Sequence, residues 1–416
     1  MKRIHPSAPR GFTTLTVTLV LVLVLWLSVA AAHRGLLFEH KTSTNQYRAT
    51  QAFEAAEAGL EWAIAQLNGN TSIDANCQAD AASARSFADR YLSDETDTST
   101  LTPRLDPSTR TALQAACVKL ANAWSCSCPA SGSPDLPAAS SGSAVSFAIQ
   151  FEAGYQPGVV QLVSRGCSGA SVCTADVRVP TDARARLQVA LARLHGLDSE
   201  PAAALTVRGS IHASTAFAVE NSDAASGGMT VHSGAEIDAP HLVLASAPGS
   251  PGRASAVDHD PALAALSEPG LFASVFRMEK AHWRTQPVVK QLGCKNACDR
   301  ALADAIGADG AHPLIWLDGG LHLDTPLTLG TAERPVLLVA DGPVQLNAAA
   351  VIHGVVYSTS ADWTDATGAQ VQGAVVIEGD LHGPGVTHIR HDASALQRLH
   401  RHTGTFARVS GSWRDF

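Results

Sequence analysis

One feature limits this chain more than any other: an uncharged apolar run from Phe12 to Ala32 whose helical pattern does not stop where the run ends. A run of about 21 apolar residues is long enough to span a bilayer as a helix. Beyond it, Phe53, Ala56, Leu60, Ile64 and Leu67 recur at steps of three and four, which is one face of a helix. Arg48, Glu54, Glu57 and Glu61 lie off that stripe. No proline occurs between Pro9 and Pro103, and Asn68-Gly69-Asn70 supplies a helix stop. The pattern predicts one helix over 12–68, on the order of 85 Å long at 1.5 Å per residue. Lys2, Arg3 and Arg10 precede the apolar run with no opposing acid, which predicts a cytoplasmic start and everything after Ala32 outside. A secretory signal cleaved near Ala30-Ala31-Ala32 is the rival reading. Its apolar stretch is usually only about 7–15 residues, and the helical pattern here runs on past it.

The rest of the composition narrows the function classes. Only 16% of residues are charged and 45% are hydrophobic, so the chain can bury a core. The formal net charge is −8 with no basic block beyond the first ten residues, which argues against a nucleic-acid partner. Aromatics are scarce at 5%, and 33 Gly with 21 Pro favour short strands and turns. The 8 cysteines include no C-x2-C pair, which disfavours a zinc ribbon. In an exported chain they read as disulfides, with buried free thiols as the alternative. The most local pairings are Cys167 with Cys173 and Cys294 with Cys298; the connectivity of the others stays open.

Arg10-Gly11-Phe12-Thr13-Thr14-Leu15 resembles the processing site of type IV prepilins. Thr44-Asn45-Gln46-Tyr47-Arg48 and then Gln51-Ala52-Phe53-Glu54-Ala55-Ala56-Glu57-Ala58-Gly59-Leu60 are similar to the N-terminal region of PilX-type minor pilins. The resemblance covers residues 10–68 firmly, and the rest of the chain loosely. It implies cleavage by a prepilin peptidase after Gly11 and methylation of Phe12. It also implies residence in the bacterial inner membrane with a periplasmic domain, and later in a fibre or at the cell surface. The implied partners are minor and major pilins and a tip adhesin. One position departs from the family: the fifth residue after the cleavage point, commonly Glu, is Thr16. In the family that Glu is thought to offset the N-terminal amine of a neighbouring subunit in hydrocarbon, where charge is costly. Thr16 cannot do so, which fits a subunit used rarely, at the tip or in the complex that starts the fibre.

The expected fold is α+β: a leader (1–11), a long pilin helix (12–68, with 12–32 transmembrane) and a small antiparallel β head stapled by disulfides (69–203). A Gly-rich, β-solenoid-like module (204–390) with a helical insertion (258–312) and a tail (391–416) follow. Asp94–Pro107 reads as an exposed loop and Ala130–Ser143 as a linker. Ser146–Phe151, Val159–Ser164 and Cys173–Val179 read as strands, Arg184–Leu194 as strand or helix, and Leu271–Leu292 as helix. In the module, short strands with Gly at corners suit stacked coils, with a β-sandwich as the alternative.

No nucleotide, zinc-protease or serine-hydrolase motif is present, which predicts a non-enzyme without cofactors. Asp258-His259-Asp260 could ligate a metal, but reads more readily as a loop. His382, His388, His391, His400 and His402 read as surface histidines, with pH-sensitive or metal contacts as the sharper alternative. Asp318, Asp324 and Asp341 would serve a polysaccharide-cleaving coil only if their register brought them together. Trp316, Trp363 and Trp413 read as core or docking residues before sugar platforms. The expected function is a minor pilin in type IV pilus assembly. The alternatives are a type II secretion pseudopilin and a membrane-anchored adhesin with a glycan-binding β-helix.

Overall fold

The computed structural model describes residues 11–69, 71–80, 83, 85–95, 100–137, 144–156, 158–169, 173, 183–307 and 312–415. The leader before Gly11, the second half of the linker read at 130–143 and all but the first residue of the strand read at 173–179 lie outside this set.

A single helix of 57 residues, Gly11–Leu67, opens the fold. Its second half lies across an antiparallel sheet with strands in the order 404–408, 184–195, 159–167, 146–153, 114–120, 123–127. Arg184–His195, ambiguous by periodicity, is a strand of 12 residues, second from one edge of this sheet and paired on both sides. The core between helix and sheet joins Leu60, Ala63 and Leu67 to Phe147, Ile149, Phe151, Leu162 and Val189. The stretch read as a loop at 94–107 instead carries the strand Thr100–Pro103, which pairs with Leu92–Glu95.

The segment read as a tail, 391–416, is folded. Ala393–His402 is a helix, and Gly404–Arg408 and Arg414–Asp415 both pair with Arg184–His195. The head therefore closes with strands that come after the β-rich module, and the module is an insertion between two neighbouring strands of the head sheet.

Among the described residues of the module every ladder is parallel, and each turn of chain between the two end turns contributes a strand to each of three sides. The turn beginning at Leu314–Asp318 continues with Leu321–Leu323 and Leu327–Leu329 before the next begins at Val336–Asp341. Leu314 lies beside Leu337, Val336 beside Gly354 and Gly354 beside Gly373, so successive turns take 23, 18 and 19 residues. Leu205, Val231 and Ala256 stack in the same way at steps of 26 and 25. Alternate residues of one ladder face inward (Ile315, Leu317, Leu338, Ala340, Val356, Val375). Those between them (Leu314, Trp316, Leu337, Val339, Val355, Tyr357) face out and are buried under helices. Burial on both faces explains the near-continuous apolar runs of these strands.

The chain joins this stack in its middle. Leu205 lies beside Val375, Ile211 beside Leu381 and Ala218 beside His388. From there turns accumulate to one end at Ala256–Val257, the helical segment crosses to the opposite end at Val289–Gly293, and the remaining turns return to the middle. The single helix read over Leu271–Leu292 is instead two short helices, Glu268–Phe276 and Lys280–Arg284, followed by the end strand. Arg277 adopts a left-handed conformation (φ 55°) that ends the first, and Pro287 prevents the second from continuing.

Candidate assembly interface

The described side chains in the first half of the long helix have no protein packed around them. Thr14–Ala31, with mean hydropathy 2.4, is entirely unburied and is long and apolar enough to cross a membrane. Leu15, Leu19, Leu23 and Leu27 are all exposed, and Trp26 is 77% exposed. Two of the hydroxyls in this stretch are absorbed by the helix itself. Thr18 Oγ1 donates to the carbonyls of Thr14 (3.0 Å) and Leu15 (2.9 Å), and Ser28 Oγ to that of Val24 (2.8 Å). Back-bonding of this kind removes polar groups that hydrocarbon would otherwise leave unpaired. Thr16 stands exposed on this surface; the side chains of Gly11 and Phe12 are outside the described set. A polar collar follows, where Glu39, His40, Lys41 and Tyr47 to Thr50 are exposed.

From Ala52 onward the helix is docked. Of the stripe read from sequence, Ala56, Leu60 and Leu67 are buried, and Phe53 and Ile64 pack at its margins. The reading missed Ala52, Ala55, Gly59 and Ala63, which are also buried. They mark the closest approach of helix to sheet. A Cβ on Gly166 would overlap the carbonyl oxygen of Ala52 and the amide of Ala56, and one on Gly59 would overlap Ser164 Oγ. Small residues signal proximity through missing volume, which a hydrophobic period does not register.

The returning strand, at the edge of the same sheet, fastens the end of the helix. Asn68 Nδ2 donates to the carbonyl of Phe406 (3.0 Å), and the Phe406 amide donates to Asn68 Oδ1 (2.8 Å). Arg408 pairs with Glu61, and Trp413 meets Phe53 edge to face at 6.3 Å. Sequence reasoning gave Asn68 only as a helix stop; its role as a side-chain rung of the sheet depends on a partner 338 residues away.

All eight cysteines are bonded: Cys77–Cys128, Cys117–Cys126, Cys167–Cys173 and Cys294–Cys298. The other candidates do not converge. Asp260 accepts from His232 (2.6 Å), which with the amides of Ala262 and Leu263 holds its carboxyl below the usual range. Asp318 and Asp341 are register neighbours, yet Asp318 pairs with Arg284 (2.9 Å) and Asp341 accepts from Thr359. Asp324 lies on another side of the turn, accepting from Asn347. His400 meets the carbonyl of Leu197, His391 that of Pro201, and His382 the ring of His212. Trp316 and Trp363 are buried, whereas Trp413 is half-exposed. Among the described residues no three His, Cys, Asp or Glu side chains are placed to hold a metal.

The exposed half of the helix and the first turns of its docked half coincide with a known family. Residues 10–61 match the PilX N-terminal family model. The N-terminal segment of this chain is therefore similar to the PilX N-terminal region, consistent with a PilX-type minor pilin. Among solved structures, the competence-associated pilin ComZ from Thermus thermophilus is similar at 12% identity, covering 88% of this chain and 97% of that chain with a TM-score of 0.21. No curated protein matches the chain.

Proposed function

We propose that this protein is a minor pilin of a type IV pilus, acting as a fibre-initiating or tip subunit. The observation that carries the reading is the division of one unbroken helix into an exposed apolar half and a half fixed to a head. The exposed half holds the subunit in a membrane, then exchanges lipid for the helices of neighbouring subunits. The fixed half makes the head move with it. Cleavage after Gly11 by a prepilin peptidase would release the subunit for assembly. Thr16 supports a rare subunit, since it offers no carboxylate to a neighbour's amine. Mass spectrometry of sheared fibres tests this. The expected outcome is a mature N-terminus at Phe12 and an abundance far below that of the major subunit. Near-equal abundance would refute the tip or initiator role.

A further inference from the structure

On one side of the module Asp238, His212, His382 and Asp362 lie in register on neighbouring turns: an acid, two imidazoles and an acid in a row. Strand alternation turns the histidines outward, because the residues before them, Ile211 and Leu381, fill the core. The His212 and His382 side chains are 47% and 51% exposed, and their ring centres are 5.6 Å apart. Nδ1 of His212 stands 3.8 Å from Asp238, and Nδ1 of His382 stands 3.9 Å from Asp362. In each ring Nδ1 is thus the nitrogen nearer the flanking acid, which leaves Nε2 on the side of the other ring. Asp380 shares this face, two residues before His382. It accepts from the Ser210 amide (2.7 Å) and hydroxyl (2.9 Å), which hold its carboxyl below the usual range. Ser210 Oγ also lies 2.9 Å from His212 Nε2. An ion on that nitrogen displaces this one contact, and the hydroxyl keeps Asp380 as its acceptor.

Three carboxylates around two imidazoles form a surface for a cation, and the nitrogens select its type. Imidazole suits zinc, copper and nickel, whereas magnesium and calcium take oxygen ligands. Ring nitrogens bind such an ion at about 2.0–2.1 Å, which sets two ring centres on the order of 5 Å apart. The spacing of His212 and His382 meets this with a small rotation. Carboxylates beside the remote nitrogens orient ligating imidazoles and raise their basicity. Two nitrogens converge here, not a closed set of three or four protein ligands.

We propose that His212 and His382 chelate one divalent transition-metal ion through their Nε2 atoms, with water completing its coordination. This site does not depend on the pilin role. His212 belongs to the first turn after the chain enters the stack, and His382 to the last turn before it leaves. The ion would therefore clasp the two ends of the module where they meet.

The test is calorimetric titration of the full chain in non-ionic detergent with Ni2+, and with Mg2+ as the comparison. Ni2+ is expected to bind, and binding should be lost in His212→Gln and equally in His382→Gln. It should be kept in His282→Gln, which alters an exposed histidine beside Glu279 on a helix instead. Both cluster histidines are about half exposed, so the two variants should melt like the unaltered chain without metal. Ni2+ should raise the melting midpoint of the unaltered chain and of neither variant. Binding should weaken as pH falls from about 7.5 to about 5.5, because protons compete for the imidazoles. With Cu2+ loaded instead, electron paramagnetic resonance should show coupling to two imidazole nitrogens. No binding of Ni2+, Mg2+ binding as tight as Ni2+, unchanged Ni2+ affinity in either cluster variant, or copper coupled to a single imidazole would each overturn the assignment.

Discussion

Asn68 completes a sheet with its side chain, and the cost of losing that rung follows from what it leaves behind. Asn68→Ala strands the amide and carbonyl of Phe406 at the edge of a packed core. The expected loss is about 1–3 kcal/mol, read by urea denaturation. Gly373 shows the opposite logic. Its φ of +152° and its place directly over Gly354 leave no room for a Cβ, which would overlap the Gly354 carbonyl oxygen. Gly373→Ala should cost about 3 kcal/mol, seen as a lowered melting midpoint, whereas the same change at Gly293, where nothing lies within 4 Å, should cost little. Glu378 supplies a pH-dependent case. It is buried, accepting from Tyr357 (2.6 Å) and Lys280 (2.5 Å), and burial pushes its carboxyl up despite those partners and the Tyr357 hydroxyl up with it. A raised folded-state value means the folded form holds the proton more tightly. The contribution is therefore most favourable below the ordinary carboxyl range and is lost as pH rises through the folded value. Lys280→Met removes the counter-charge and should cost toward the low end of roughly 3–5 kcal/mol near neutrality, because Lys280 is itself partly exposed. That cost should shrink as pH falls and Glu378 takes up a proton, which denaturation curves between pH 4 and 8 would show.

Elements differ in how far the sequence announces them. The long helix was legible because its signals are local: an apolar run, a three-to-four spacing and no proline until Pro103. The head sheet was half legible. Ser146–Ala153 and Val159–Cys167 show β-type runs, but Arg184–His195 carries arginines at its start and alanines within, and only pairing on both sides makes it a strand. Gly404–Arg408 was illegible, since its partner precedes it by some two hundred residues across an entire module. Among disulfides the two shortest loops were found because proximity in sequence suggested them, while Cys77–Cys128 closes a separation of 51 residues. That difference sets their expected worth. By loop-closure entropy, replacing Cys77 and Cys128 by Ser should cost about 4 kcal/mol, and replacing Cys294 and Cys298 about 2 kcal/mol. Comparative guanidinium unfolding of the two double variants measures the ranking.

At the scale of the whole molecule, the module begins and ends at one place. Leu205 lies on the same stack as Val375, and His391 reaches the carbonyl of Pro201 at 3.1 Å. Excision of residues 204–390 therefore joins neighbouring ends and leaves the returning strand able to meet Asn68. The truncated chain should keep a folded head, and fibres counted by electron microscopy should persist. Absence of fibres in that strain would show that assembly needs the module. The arrangement also decides where tension travels. A pull along the long helix is taken up by its small-residue seam with the sheet and by the strand that Asn68 and Glu61 hold. The turns of the module hang beside that route like a loop of slack beside a taut rope. The stacked turns could be lengthened, shortened or replaced without altering how force reaches the membrane-facing helix.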